Sequence, residues 1–194
     1  MTSRETVLAS IRRNRPHLER PLPELPVGGR SQHEPRLQEF RRRLTQMGGR
    51  LLDPGPPDDR LAPARAMIDE AAIVCSMVAD LPGNRPVSDA DPASMADVDL
   101  AVLRARFAVA ETGSVALRAV DLGVNSLGYL AQRLLILVDP DTILETLHDA
   151  YARPDFLAGN YLVLQTGPSA TADIEGVLIH GAQGVRALTV LLTP

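Results

Sequence analysis

Two stretches of this chain place acids and hydroxyls around a glycine where an apolar run stops: "AETGSVAL" at residues 110–117 and "YLVLQTGPSATADIE" at residues 161–175. In the first, Glu111, Thr112 and Gly113 break what would otherwise be one continuous apolar strand. A carboxylate beside exposed backbone amides suits proton transfer or binding, which makes Glu111 a candidate acid or base, with Thr112 and Gly113 as ligand-binding neighbours. A hairpin turn with a solvated glutamate accounts for the same residues. In the second stretch, a parallel strand over residues 161–165 puts Gly167, Pro168 and Ser169 at its carboxyl end, where ligands gather in open α/β sheets. The spacing of Ile174, Val177, Leu178 and Gly181 predicts a helix over residues 171–179, whose first N–H groups face back toward that loop. Gly167, Ser169, Thr171 and Asp173 then form an anion cradle, and Glu175 is a second candidate acid, base or nucleophile. Capping of that helix by Ser169 or Thr171, with Asp173 and Glu175 complementing its dipole, is the competing account.

Other chemistry finds less support. All 20 basic residues are arginines, so Schiff-base and lysine-base mechanisms and the lysine of a phosphate-binding P-loop are excluded. His17, His33, His148 and His180 fall at no metal-ligand spacing, and no metal site is expected. A single cysteine holds no iron–sulfur cluster, and Cys75, inside "AAIVCSMV", reads as a small core hydrophobe. "VNSLG" around Ser126 approaches a nucleophile elbow but has Val124 in place of the first glycine, and no G-x-G-x-x-G follows a strand.

The elements that must position these residues follow from periodicity. Thr2 and Glu5 have capping-box spacing ahead of a short N-terminal helix, and a Pro-rich arm follows to residue 34. Leu37, Phe40, Leu44 and Met47 form a helical stripe ended by Gly48 and Gly49. Strands are expected at residues 49–52, 71–78, 107–111, 114–117, 134–138, 161–165 and 187–192, with helices at 61–70 and 141–152 between them. Most of these strands are continuous apolar runs, as in sheets covered on both faces, so the order predicts an α/β fold with a largely parallel sheet flanked by helices. The division is an arm over residues 1–34 and one α/β domain over residues 35–194. The first 50 residues carry a net charge of +6 and the remainder −10; this overall acidity argues against a nucleic-acid partner. The absence of a long apolar run argues against a membrane span, and the lack of a secretory signal points to a cytoplasmic protein. The proline-rich arm is the kind of segment that lies across a neighbouring subunit, so a homodimer is expected.

The motifs at 110–117 and 167–175, followed by the tail "LIHGAQGVRALTVLL" at 178–192, resemble the lactate utilization protein C (LutC/YkgG) family of LUD-domain proteins. The resemblance covers residues 35–194. It implies a fold similar to the sugar-phosphate isomerase, deaminase and CoA-transferase superfamily. It also implies a part in oxidising L-lactate to pyruvate, with no cofactor in this chain and iron–sulfur clusters in partner subunits. The ligand is then a small organic acid or other anion. The family commonly has arginine where this chain has Ala170 and histidine where it has Gln183, which becomes a ligand-binding candidate able to hydrogen-bond but not to shuttle protons. Two alternatives remain: a free-standing glutamate-dependent enzyme acting on a sugar phosphate or acyl-CoA, and a non-catalytic scaffold subunit.

Overall fold

The computed structural model describes residues 2–16, 35–88, 91–157, 161–173 and 176–193. The chain begins with α1 (Ser3–Asn14), whose N-terminus is closed by the reciprocal Thr2–Glu5 capping box expected from sequence. After the arm, of which residues 17–34 lie outside the described residues, come α2 (Arg36–Gln46), β1 (Arg50–Leu52), α3 (Ala62–Asp69), β2 (Val74–Ser76) and β3 (Leu100–Arg104). Next are β4 (Phe107–Val109), β5 (Ser114–Arg118), α4 (Ala119–Leu122), α5 (Leu127–Leu130), β6 (Arg133–Val138) and β7 (Ile143–Leu144). The chain continues through α6 (Leu147–Tyr151), α7 (Pro154–Leu157), β8 (Leu162–Gln165), β9 (Ala170–Thr171), β10 (Ile179–His180) and β11 (Ala187–Leu192).

Five strands form an all-parallel sheet in the order β1-β11-β6-β3-β2. A second, mixed sheet has the order β7-β4-β5-β8. Alternation along the parallel strands divides the interior into two cores. Leu135, Leu137, Leu100 and Val102 face α3 through Ala64, with Met67 and Ile68 packed at its margin. Leu134, Ile136, Val138, Ala101 and Leu103 face the other way, toward Phe40 and Leu44 of α2 and Ala108, Val115 and Leu117 of the second sheet. That second sheet turns Phe107, Val109 and Ala116 outward under Ala150 of α6. Coverage of both faces is the reason these strands are apolar throughout.

Several expectations are corrected. The run at 161–165 forms β8, but β8 pairs antiparallel with β5 in the second sheet, so it is not a strand of the parallel sheet. An uninterrupted apolar run reports burial on both faces and says nothing about direction. The helix expected over 171–179 is absent among the described residues of that span; Ala170 and Thr171 pair antiparallel with His180 and Ile179. Gly176 takes φ 71° inside this segment, and Val177 and Leu178 are each 60% exposed, so the apolar spacing there marks no core-facing stripe. The helix expected over 141–152 is divided into a 3-10 turn at Pro140–Thr142, β7, and α6 with Thr146 as its cap. Leu100–Arg104, a strand inside the parallel sheet, was not anticipated.

Candidate functional site

The C-terminal turn of α2 is the surface on which both motifs meet. It closes with Gly48 at φ 83°, and the N–H groups of Gly48 and Gly49 bond back to Thr45 O and Leu44 O at 3.0 and 2.9 Å. Gly113 and Gly167 both have positive φ, 70° and 76°. Neither leaves room for a side chain: a Cβ on Gly113 would collide with the Leu44 backbone nitrogen, and one on Gly167 with Met47 O. Glycine in each motif therefore lets a loop rest directly on the helix end.

The two loops also bond to each other. Thr112 Oγ1 lies 2.7 Å from Ser114 Oγ, and Ser114 Oγ is hydrogen-bonded to Thr166 Oγ1. The first motif thereby reaches the second through the buried hydroxyl of Ser114, flanked by the half-buried Thr112 and Thr166. Glu111 faces elsewhere: its Oε2 accepts the Leu147 N–H at 2.8 Å, so its carboxylate closes the first turn of α6.

Beyond Thr166 the surface opens into a hollow of about 240 Å³ lined by residues including Tyr129, Gln165, Thr166, Gly167, Ser169 and Gly184. Ser169 also borders a second, larger hollow of about 520 Å³, with Thr171, Asp173, Ala182 and Gln183. The loop positions are fixed by backbone bonds from Ser169 N to Val185 O at 2.8 Å and from Gly181 N to Ser169 O at 2.6 Å. Gly184, at φ 73°, lies so close to Tyr129 that a Cβ would be 2.8 Å from Tyr129 O. Since Tyr129 and Val185 precede β6 and β11, the hollows lie at the amino-terminal edge of the parallel sheet, while Gly167 and Ser169 follow the carboxyl end of β8 in the second sheet.

Among the sequence-derived candidates, Ser169, Thr171, Asp173 and Gln183 share one hollow, and Gly167 joins Ser169 in the other. Thr112 and Gly113 stand behind them, linked through Ser114 and α2. Glu111 lines neither hollow, and Glu175 lies outside the described residues. Sequence reasoning passed over Ser114, Tyr129, Gln165 and Thr166. A signal existed in the repeated Thr-Gly at 112–113 and 166–167.

Gln165 donates from Nε2 to Gly128 O at 2.7 Å, and its buried Oε1 has no hydrogen-bond partner. Tyr129 and Tyr161 join through their hydroxyls at the rim. Burial, reinforced by the bond to Tyr129, pushes the Tyr161 phenol up to about 12, so it stays protonated and available as a donor across the neutral range. Asp173 is the carboxylate on the larger hollow, and its N–H bonds to Thr171 Oγ1 at 3.3 Å. Among the described residues no group of three or more His, Cys, Asp or Glu side chains is placed to hold a metal ion. Nor is any helix there long and apolar enough to cross a membrane. Cys75 is fully buried in β2.

Residues 85–193, which contain both hollows, both Thr-Gly turns and most of the parallel sheet, match the LUD domain. The chain belongs to the LUD domain family. That family is associated with lactate utilization. The crystal structure of a DUF162 family protein from Deinococcus radiodurans shares the fold of this LUD protein. It aligns over 82% of this chain and 96% of that chain, with a TM-score of 0.60 and 19% sequence identity. No curated protein matches the chain.

Proposed function

We propose that this LUD protein is a lactate utilization protein C type component of a system that oxidises L-lactate to pyruvate, and that the paired hollows around Ser169 bind the small acid. The convergence of Ser169, Thr171, Asp173 and Gln183 on one opening, beside Gln165 and Thr166 on the next, carries the reading. Hydroxyls and amides suit a small carboxylate with an adjacent hydroxyl or carbonyl. The residues lining the two hollows include no arginine, and the smaller one, about 240 Å³, matches a three-carbon acid far better than a coenzyme A ester. Lactate oxidation releases two electrons and two protons for each pyruvate formed, and iron–sulfur partner subunits receive the electrons in this reading. The chain works in the cytoplasm, as a homodimer joined through residues 1–34.

Engagement of Glu111 by Leu147 N–H favours a ligand-holding role for this chain, with chemistry completed by its partners. Titration calorimetry with L-lactate, pyruvate, inorganic phosphate and coenzyme A tests the binding. The acids bind, and Ser169→Ala or Gln183→Ala weakens them by about five- to tenfold, the value of one hydrogen bond, without lowering the melting temperature. Binding of phosphate or coenzyme A in preference to both acids overturns the reading in favour of a sugar-phosphate or acyl-CoA enzyme. A deletion strain with no second copy grows poorly on L-lactate; normal growth would count against the proposed pathway.

A further inference from the structure

The second sheet ends on a strand whose sequence does not protect it. β8 closes the order β7-β4-β5-β8, and all of its residues, Leu162–Gln165, are half-buried. Natural sheets ordinarily blunt an edge with charge, proline or a bulge, because bare main-chain groups on an apolar strand are a template for another strand. At the opposite edge the Arg36 guanidinium takes Ile143 O at 3.0 Å, and beside β2 the chain returns so that Arg85 bridges Cys75. β8 has no such device. No residue from 156 to 172 carries a charge, and no proline interrupts the strand.

The register shows which main-chain groups face outward. In an antiparallel strand the N–H and C=O of one residue point to the same side, and the sides alternate along the chain. Ala116 O accepts the Arg106 N–H at 2.9 Å, and the Arg118 N–H goes to Asp121 Oδ2 at 2.9 Å, so these two residues turn their main chain away from β8. Val115 and Leu117 then make the ladder, to Gln165 and Val163. The N–H and C=O groups of Leu162 and Leu164 therefore point out of the sheet edge, and among the described residues none of them has a hydrogen-bond partner.

We infer that β8 pairs antiparallel with β8 of a second copy of this chain, about a two-fold axis at Val163. In that register Leu162 of each copy lies opposite Leu164 of the other, and their outward groups exchange N–H···O bonds in both directions. Val163 meets its own copy at the axis. On the face that carries Phe107 and Ala116, the leucines of the two copies adjoin and the apolar layer continues across the contact. A two-fold contact sets residues near its axis against themselves, so a charge there repels its own copy. The uncharged run meets that condition, which a strand from a different protein would not impose.

The same register sets Tyr161 of each copy opposite Gln165 of the other. Gln165 is a wall residue of the smaller hollow, and Tyr161 is joined to Tyr129 at its rim. Each hollow is thereby completed by the second copy. This last step rests on the small-acid reading; the pairing does not.

Light scattering on the full chain tests the pairing. Val163→Lys sets like charges on the axis and halves the mass, whereas Val163→Thr keeps the β-branched shape without charge and retains it. Where Val163→Lys disturbs folding, amide hydrogen exchange on wild type gives the answer. On dilution to single β8 strands, the Leu162 and Leu164 amides exchange about tenfold faster or more, while Val163 and Gln165 stay protected by β5. Full mass in Val163→Lys, or Leu162 and Leu164 amides that exchange alike at every concentration, overturns the pairing. A fall to a single chain in Val163→Lys keeps it and overturns the contact through residues 1–34. By calorimetry L-lactate binds Val163→Lys about fivefold more weakly than Val163→Thr. Equal affinities overturn the shared wall alone, and binding by no form, wild type included, overturns it together with the small-acid reading.

Discussion

Glu111 puts its carboxylate against the Leu147 N–H at 2.8 Å, beside a capping box formed by Thr146 and Asp149. A helix as short as α6 has few internal bonds, so an acceptor at its first turn counts for more than it would on a long one. Glu111→Ala is expected to lower stability by about 1 kcal/mol, as loss of a helix-capping side chain does. Glu111→Gln keeps an oxygen at the same reach and is expected to leave acid binding within about twofold and stability nearly intact. Denaturant melts and calorimetry on both variants check this; loss of lactate-dependent activity in Glu111→Gln with stability and binding unchanged would return Glu111 to the role of acid or base. The acid and the hydroxyl neighbours of this motif were legible in the sequence because they interrupt an apolar run. Their partners were not. Spacing along a chain carries no information on whether a glutamate turns toward a loop or toward a helix that begins 36 residues later.

At the scale of elements, two Thr-Gly turns rest on one helix end. Gly167→Ala must place a methyl against Met47 O while holding φ near 76°, so it combines a backbone collision with left-handed strain. A loss of about 2 kcal/mol is expected, or roughly 4 to 8 °C in melting temperature for a chain of this size. Calorimetric melting reads it, and an unchanged transition would mean the loop stands off the helix. α2 and β11 lie where the sequence places them, the helix from its apolar period and closing glycines and the strand from its unbroken apolar run, although Met47 at the end of the stripe is 48% exposed. Leu100–Leu103 was missed because four consecutive buried residues fit a strand or a helix segment equally well, and only pairing with β2 and β6 decides the matter. The segment after Ser169 was misread for the opposite reason: an apolar rhythm was present, but Val177 and Leu178 face outward and the backbone folds back to pair Ile179 with Thr171.

On the scale of the whole molecule, α1 contributes no buried residue, with Val7 and Ile11 at 55% and 60% exposed. Deleting residues 1–16 is expected to leave the melting temperature of the α/β domain unchanged within about 2 °C, since α1 buries no side chain and exposed segments shift stability by fractions of a kcal/mol. Light scattering on a chain lacking residues 1–34 tests the proposed homodimer, for which the mass should fall by more than the deleted residues account for. The α/β class was legible from the alternation of strands and helices, whereas the second sheet was not, because its pairing joins segments remote in sequence, such as Val115 with Gln165. The order of the parallel sheet has a further consequence. β11 follows every other strand in sequence yet sits between β1 and β6, and β1 pairs with nothing else in that sheet. During synthesis the first strand must wait, unpaired, until almost all of the described polypeptide has left the ribosome. Nascent chains of this protein therefore complete the sheet only once β11 has emerged, and the interval before β11 arrives is when they are most exposed to chaperones and proteases.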